Sequence, residues 1–475
     1  MERADVTMVG LFFVTLALGI YCFSNPSRHG WYNHFVWQAD AFLHGRFLIE
    51  YPVNSGPFTN GYMQDVMPVP VAGSDTKYGL LPFPPLPALL LMPFVAVFGL
   101  ATDSQLVGVV IGALNVGLAW RMAARLTRSH AAAAVATLFF AFGTVHWYAS
   151  MLSTTWFLAH VVAITFVLLG MTMAIDAERL YRAKVVAAAS LSRRAGADPR
   201  GALSETFEQS SLFLAWFRRL RGYFDPLQFM AGFVFGIAAL ARLPVLLGAP
   251  FFLFVGGGGT FFRRGFSAGV GAFIPLALLL IYNLASTGHL FNPAYEHLYQ
   301  TEYLGYLPPE HCLYPADFCQ SLQIDRSLGI EDVGHIPVNA VIMFGWLPII
   351  PAECGLFNLA ACASMQPDEI GMSILLTSPA YLLALPILIT GWRRRMVAGS
   401  ALAIGAIAIL NLMHFSQGWV QFGYRFGNDF LPFALVLVTL GIARLGARNL
   451  IVVALVAASI IINAWGVFWG VKLGW

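Results

Sequence analysis

The chain consists of long apolar stretches separated by shorter polar segments. About 11 of them approach the roughly 20 residues that a helix needs to cross a bilayer. They lie at 6–24, 104–122, 131–149, 155–176, 227–242, 244–260, 266–287, 371–391, 397–414, 428–445 and 450–471, although 227–242 is short and 226–260 could be divided differently. Backbone groups in lipid find no water to bond, so each stretch predicts a helix. We therefore expect an all-α polytopic membrane protein with about 11 transmembrane helices.

Composition excludes several other classes of protein. Of the 475 residues, 58% are hydrophobic and only 11% charged, whereas soluble proteins carry about 25% charged residues. Together with a mean hydropathy of +0.70, this excludes a soluble enzyme and a disordered chain. The 27 basic and 24 acidic residues leave no positive surplus for a nucleic-acid partner. The first stretch has acids in its flank (Glu2, Asp5) and no small-residue cleavage site, which predicts a retained helix.

Basic residues predict the orientation, because Arg and Lys stay on the cytoplasmic side. The basic segments are Arg121–Arg128, 177–225, Arg263–Arg264, Arg393–Arg395 and Arg444–Arg448. All of them lie inside only if the proline-rich stretch 84–101 does not cross the membrane by itself. We expect this stretch to lie along the outer interface or to dip part-way into the bilayer. The N-terminus is then inside and the C-terminus outside.

This orientation divides the chain into three parts. They are an N-terminal transmembrane module (1–287) with a first outer loop (25–103) and a cytoplasmic insertion (177–225), a second outer loop (288–370), and the C-terminal transmembrane helices (371–475). In the second loop the apolar stretch 337–350 is too short to span, which predicts a re-entrant or surface helix. No internal repeat of the kind seen in many transporters is visible.

Cysteines indicate how the second outer loop is held together. Four of the five cysteines fall in it, namely Cys312, Cys319, Cys354 and Cys362. An even number in a loop that faces an oxidising space predicts disulfides. The short-range pairing joins Cys312 to Cys319 and Cys354 to Cys362, but three connectivities are possible. A metal site that includes His311 is the rival interpretation, although no CxxC occurs. The fifth, Cys22, is expected to be a small apolar residue of the first span.

Two arginines are expected on the outer side, contrary to the rule that Arg and Lys stay on the cytoplasmic side. Arg242 lies in ALARLPVLL, and Arg425 precedes a late span in GWVQFGYRFGNDFLPF. A guanidinium at this depth is costly unless it is paired or hydrated. One interpretation is a structural ion pair between Arg425 and Asp429, four residues further on. The other is that both arginines converge on an anionic headgroup, most simply a lipid phosphate.

The first outer loop supplies the candidate acids. Asp40 falls on a predicted helix, 33–45, where it shares an aromatic-rich face with His44. Desolvation there would raise the pKa of Asp40, which suits a general base. A surface carboxylate paired with Arg46 or Lys77 is the alternative. Weaker candidates in the same loop are Glu50, Asp65 and Asp75.

Polar residues also occur within and beside the spans. His146 ends the third span and is interpreted either as a structural group or as part of a site near the first loop. His160, inside the fourth span, is expected to make a polar contact between helices. Asn283 and Tyr295 open the second loop, and the alternative acids Glu296 and Glu302 follow them.

This layout resembles the membrane-embedded C-type glycosyltransferases, most closely the protein O-mannosyltransferase-like branch. That branch has eleven spans and two large outer loops, after the first and seventh spans. Phe83-Pro84-Pro85-Leu86 stands where the family has a Pro-Pro juxtamembrane helix. The segments YNLASTGHLFNPAY and WVQFGYRFGNDFLPF resemble the family's tyrosine–asparagine stretch and its arginine before a Pro-bearing helix. The resemblance covers most of the chain, as architecture and loose motifs, and 177–225 has no counterpart.

The resemblance implies a polyprenyl-phosphate sugar donor, and an acceptor hydroxyl on a glycan, lipid or protein. Asp40 is the expected catalytic base. The residues expected to bind the donor are Asn33, His34, Asp65, Asp75, Lys77, Tyr78, His146, Arg242, Asn283, Tyr295 and Arg425. The chain departs from the family where an acidic residue usually follows the first span, because it reads Trp31-Tyr32-Asn33-His34 there. This departure leaves the identity of the base open.

No sequence motif indicates a cofactor. A bound divalent metal is compatible with the sequence, but no motif predicts one.

A bacterial plasma membrane, with the site facing outward, is the expected location. Two other functions stay open: a lipid or small-molecule transporter or flippase, which would carry broken helices and charges at mid-membrane depth, and a non-catalytic membrane assembly protein.

Overall fold

A computed structural model describes residues 3–27, 32–51, 65–73, 77–195, 224–301, 327–355, 358, 360–418 and 420–475. The first helices are α1 (Arg3–Ser24), α2 (His34–Leu43), α3 (Leu86–Phe98), α4 (Ser104–Leu126), α5 (His130–Phe142), α6 (His146–Leu152), α7 (Thr155–Ala195), α8 (Pro226–Ile237) and α9 (Pro250–Phe254). The others are α10 (Phe261–Thr287), α11 (Ala294–Thr301), α12 (Ile336–Phe344), α13 (Ile374–Thr377), α14 (Leu385–Gly391), α15 (Arg395–Met413), α16 (Gly427–Leu445) and α17 (Leu450–Leu473). Short 3-10 turns lie at Gly99–Ala101, Ala238–Leu240, Leu243–Gly248, Val333–His335, Ala361–Ser364 and Pro379–Ala384.

The helical part confirms an α-helical membrane protein, but it does not support the expected number of spans. Among the described residues, seven helices are long and apolar enough to cross a membrane: α1, α4, α7, α10, α15, α16 and α17. An eighth span results if α5 and α6, which are bent by 49°, count as one. The other predicted spans fall on the shorter apolar helices Pro226–Leu240, Leu243–Phe254 and Pro379–Gly391. Prolines and 3-10 turns interrupt these stretches, so no single long helix forms.

Polar side chains fix where the spans begin. A side-chain oxygen accepts a hydrogen bond from a backbone N–H of the first helical turn, which stabilises a helix start by about 1 kcal/mol. The residues that do so are Asp103, Ser129, Asp225, Thr260 and Asn449. These caps explain why long apolar stretches start helices at defined positions.

The bundle has two chemically different ends. At the basic end, Arg125 pairs with Asp176 at 2.6 Å, and Arg264 and Arg395 contact the ring of Phe261. A side chain at Gly259 would overlap Tyr181 of the α7 extension, so these groups adjoin one another. Among the described residues, Arg125, Arg179, Arg264 and Arg395 therefore lie at the same end, as the charge argument required. The loop end, where α1 finishes and α7 and α16 begin, carries the described parts of both outer loops.

The stretch 84–101 stays at the loop end, which confirms that it does not run through the bundle. Phe83 before α3 and Leu100 after it both pack against the small cluster around Trp37. Ser104, which opens α4, donates to the Asn33 side chain at 2.9 Å beside the start of α2. Helix α3 therefore lies along α2 at this end of the molecule.

The first loop also contains a small sheet, which the all-α expectation did not include. Strands β1 (Ile49–Tyr51), β2 (Met67–Val69) and β3 (Lys77–Leu80) are antiparallel in the order β1-β3-β2. The register pairs Glu50 with Tyr78 and Val69 with Tyr78 across the two ladders. Because β2 begins two residues after Asp65, the sheet restricts the position of that residue.

The second loop is joined to the first loop and to the bundle. The side-chain amide of Asn292 donates to the carbonyl of Leu81 at 2.8 Å. Glu331 forms a backbone bridge with His414 after α15. The predicted short helix in 337–350 is α12, and the Cys354–Cys362 disulfide is present. Cys22, which was expected to behave as a small apolar residue of the first span, is an exposed free thiol on α1.

Cys312 and Cys319 lie outside the described residues, so the rest of the predicted cysteine pairing is not tested by the structure.

Candidate functional site

A group of ionisable residues, three of them buried, lies at the loop end, where both outer loops meet the bundle. We call it the arginine site and define it by Asp65, Arg242, Arg425, Asp429 and Tyr295. Asp65 comes from the first loop and Tyr295 from the second. Arg242 occupies the tip between the Ala238–Leu240 and Leu243–Gly248 turns, and Asp429 lies in the first turn of α16.

Arg242 forms the closest ion pair of the site. Its Nε and Nη2 atoms donate to the two carboxylate oxygens of Asp429, at 3.2 and 2.8 Å. The ring Nδ1 of His160 lies 2.9 Å from Asp429 Oδ1, and Asn411 donates to Oδ2 at 3.5 Å. His160 therefore makes the predicted polar contact between helices. The predicted pair of Arg425 with Asp429 is wrong, because Asp429 receives Arg242 instead.

Arg425 is held by aromatic rings and by the backbone of Gly418, which passes close to its guanidinium. Its side chain is buried, and its guanidinium carbon lies 5.8 Å from the ring centre of Trp156 and 5.3 Å from that of Phe426. A Cβ at Gly418, where φ is +90°, would come within 2.5 Å of the guanidinium. Arg242 also lies 5.3 Å from the ring of Phe426. The two arginines thus contact one ring, while their predicted convergence on an anionic headgroup stays a prediction.

Asp65 is the acid that faces Arg425. It is buried, with a left-handed φ of 54°, and its carboxyl accepts a hydrogen bond from Trp156. Burial raises its pKa to about 6, against the opposing effect of the positive charge of Arg425. Within the described chain, Oδ2 of Asp65 has no hydrogen-bond partner. A carboxyl with these properties can exchange a proton near neutral pH.

Asp40 does not lie in the arginine site. Its side chain is 28% exposed and lies 3.6 Å from His44 of the same helix, which confirms the shared face. Arg46, a proposed partner, pairs with Glu50. In the part of the chain that the structure describes, the charges acting on Asp65, Arg242 and Asp429 do not include Asp40. The position of Asp40 on an outward helix face therefore does not support it as the base.

The other predicted donor-binding residues lie in several different places. His34 lies beside the site: its Nδ1 is 2.8 Å from the Thr155 hydroxyl and its ring lies 6.2 Å from that of Trp156. His146 is buried inside the bundle, 3.3 Å from the carbonyl of Gly112. Asn33 is buried and accepts a hydrogen bond from Ser104 at the start of α4. Three other residues make local loop contacts or face solvent: Lys77, Tyr78 and Asn283. Asp75 lies outside the described residues.

Sequence reasoning missed part of the site. Glu331 lies 2.7 Å from His414 Nδ1 and within electrostatic reach of Arg242 and Tyr295. Glu331 and His414 are far apart in sequence and share no motif, so only the backbone bridge between them brings them together. Trp156, at the start of α7, reads in the sequence as an ordinary interfacial aromatic residue.

The segment around Arg425 carries further buried polar groups. The side-chain amide of Gln417, the hydroxyl of Tyr424 and the amide of Asn428 have buried polar atoms with no hydrogen-bond partner among the described residues. Buried polar groups are normally bonded to protein, water or a ligand. This polar lining suits a small polar ligand more than an apolar one.

The charges of the site do not form a recognisable metal centre. Across the described ranges, no three His, Cys, Asp or Glu side chains are grouped as ligands of one ion. The acids instead face guanidinium groups, so the arrangement suits an anionic ligand near Arg425 and proton transfer at Asp65.

No family model matches the chain, and no curated protein matches it. We therefore infer function from the contacts of the arginine site.

Proposed function

We propose that the protein is a membrane-embedded glycosyltransferase that moves a sugar from a polyprenyl-phosphate donor to an acceptor hydroxyl of a glycan, lipid or protein. One observation carries the proposal: the buried carboxyl of Asp65 lies within electrostatic reach of Arg425, at the end of the bundle that carries both outer loops. An acid for the acceptor proton and a cation for the leaving phosphate are the two groups that this transfer needs.

Arg425 is the proposed phosphate-binding residue. Breaking the bond between C1 of the sugar and the phosphate oxygen leaves negative charge on the phosphate, which a guanidinium stabilises. Arg242 is less suited to this role because its Nε and Nη2 atoms already bond Asp429, which leaves mainly Nη1 for a ligand. Arg242 would instead contribute its charge from its position beside Phe426.

Asp65 is the proposed general base, in place of Asp40. As the acceptor oxygen bonds to C1, its proton passes to the carboxylate and the polyprenyl phosphate leaves. A pKa of about 6 keeps Asp65 mostly ionised at pH 7 while it remains basic enough to take a proton. Its Oδ2 atom, buried and without a partner in the described chain, would accept that proton.

The membrane arrangement follows from the charge distribution. The basic end would face the cytoplasm and the loop end the outside of a bacterial plasma membrane. The shorter helices Pro226–Leu240, Leu243–Phe254 and Pro379–Gly391 would complete about 11 passages through the bilayer, helped by local thinning. The polyprenyl tail would then approach the arginine site from the outer leaflet.

The first test measures transfer from radiolabelled polyprenyl-phosphate sugars, with mannose as the first of a panel, in membranes containing the full chain. Asp65→Asn should lower the transfer rate by roughly 10²–10⁴-fold, as loss of a general base does. Asp40→Asn is the matched control, because it makes the same change on the outward face of α2. Normal transfer by Asp65→Asn at normal protein level would remove Asp65 as the base.

The second test separates phosphate binding from proton transfer. Binding of unlabelled polyprenyl phosphate to purified protein should weaken at least tenfold in Arg425→Gln. The same affinity should be kept or improved in Asp65→Asn, because that change removes a negative charge near the phosphate. If neither variant alters binding or transfer, the arginine site is not the transfer site.

A further inference from the structure

An apolar groove runs along the outer face of α10, far from the arginine site. It has a volume of about 630 Å³ and is lined by Leu253, Phe254, Phe261, Phe262, Gly265, Phe266, Gly269, Val270 and Phe273. We call it the Phe261 groove. From Phe261 to Phe273 the helix rises about 18 Å, which is the length of an extended acyl chain rather than of a whole span.

Two arginines meet at the basic end of this groove. The guanidinium carbons of Arg264 and Arg395 lie 5.0 and 5.5 Å from the centre of the Phe261 ring. Arg264 is only 2% exposed, and its Nη2 atom has no hydrogen-bond partner among the described residues. The acid within electrostatic reach of Arg264 is Glu178, which already pairs with Arg182. Two positive charges beside the same ring repel each other, so binding an anion between them is favourable.

The same place is the start of a helix. Helix α15 begins at Arg395, and its N-cap residue, Arg394, makes no side-chain cap. Cations at the positive end of a helix dipole are unfavourable, whereas an anion bound there is stabilised by the free N–H groups. Trp392 is 61% exposed beside Arg393, as is typical of aromatic residues at a membrane–water boundary. The groove therefore ends where lipid headgroups lie.

We propose that the Phe261 groove binds one anionic phospholipid of the leaflet at the basic end. One acyl chain lies along α10 from Phe261 toward Phe273. The phosphate lies between Arg264, Arg395 and the first turn of α15. Charge complementarity selects this occupant, because a zwitterionic headgroup would add a third cation to a place that already holds two. The site is independent of the proposed glycosyl transfer.

The test measures lipid binding to the full-length protein in detergent, by native mass spectrometry and by thermal shift. Phosphatidylglycerol should bind at least tenfold more tightly than phosphatidylcholine with the same chains. Inorganic phosphate alone should give no shift, because it lacks the acyl chain. Equal affinity for the two lipids, or an equal shift with phosphate alone, would overturn the proposal.

Two glycines supply a matched pair of variants. A Cβ at Gly269, in the groove, meets no atom within 4 Å, and the same is true of Gly405 on α15. Gly269→Leu should fill the groove and weaken phosphatidylglycerol binding at least tenfold, whereas Gly405→Leu should leave it unchanged. Arg395→Gln should abolish the preference over phosphatidylcholine while weak binding of both lipids remains. Unchanged binding in both Gly269→Leu and Arg395→Gln would place the lipid elsewhere and disprove the proposal.

Discussion

The two ends of the bundle differ in how their charged side chains are paired and buried. At the loop end, the guanidinium of Arg242, itself 21% exposed, forms a bidentate pair with the fully buried carboxylate of Asp429. At the basic end, arginines outnumber nearby acids, and the Arg125–Asp176 pair is partly exposed, at 22% and 35%. Buried charges need partners within the protein, whereas charges near headgroups can be neutralised from outside. The loop end therefore pairs a fully buried acid within the protein, whereas the acid paired at the basic end stays partly exposed.

The largest expected effect is on the buried pair. Asp429→Asn would leave the guanidinium of Arg242, which is only 21% exposed, without its counter-ion, so the free energy of unfolding should fall by about 3–5 kcal/mol. Arg242→Met combined with Asp429→Asn should recover part of this loss, because it removes both charges. Chemical denaturation in detergent measures both variants. If Asp429→Asn alone is as stable as the wild type, the ion pair does not hold the turn at Arg242 against α16.

The second prediction concerns Asp65 and pH. Because burial raises the pKa of the carboxyl to about 6, the folded state binds its proton more tightly than the unfolded state does. The folded protein therefore loses stability as pH rises from about 4 to 6 and regains none above that. Asp65→Asn should be more stable than the wild type at pH 8 by at most roughly 3 kcal/mol, and the difference should nearly vanish at pH 4.

The rate of transfer should change over the same pH range as the stability, but it should rise where the stability falls. Its rate should rise with pH up to about 6, since only the carboxylate can accept the proton. A pH-independent stability difference for Asp65→Asn, or a rate that falls through this range, would argue against an ionisable base at position 65.

The positions of the helices could be predicted from the sequence better than the partners of the charged residues. Apolar stretches and basic segments are local patterns, so the spans, the short helix in 337–350 and the Cys354–Cys362 pairing could be predicted. The number of full-length spans could not, because 3-10 turns and prolines at Leu243–Gly248 and Pro379–Ala384 shorten helices of suitable composition.

The partners of the charged residues depended on structure that no local pattern encodes. Asp429 lies four residues after Arg425, but α16 begins only at Gly427, so the rule for neighbours on one helix face does not apply to that pair. Asp40 was favoured over Asp65 because it falls on a periodic helix. Asp65 is buried instead by its left-handed backbone and the strand that follows it.

The third prediction compares two glycines at opposite ends of the bundle. Gly418 and Gly446 both have a positive φ, of +90° and +94°, so alanine at either position strains the backbone by about 1 kcal/mol. Only at Gly418 would the new methyl group also press on the Arg425 guanidinium. Gly418→Ala should therefore weaken polyprenyl phosphate binding about tenfold, while Gly446→Ala should cost stability alone. Equal binding by the two variants would mean that the position of Arg425 does not control the ligand.

The smallest effect is expected at the basic end. Asp176→Asn removes the acid from a partly exposed pair with Arg125, and such pairs contribute about 0–1 kcal/mol. The free energy of unfolding should change by no more than that, and the change should shrink further in high salt because the charges are screened. A loss as large as that of Asp429→Asn, measured by the same denaturation, would show that the basic end also depends on internal pairing. The contrast between the two ends would then fail, because charges at both ends would be matched from within the protein.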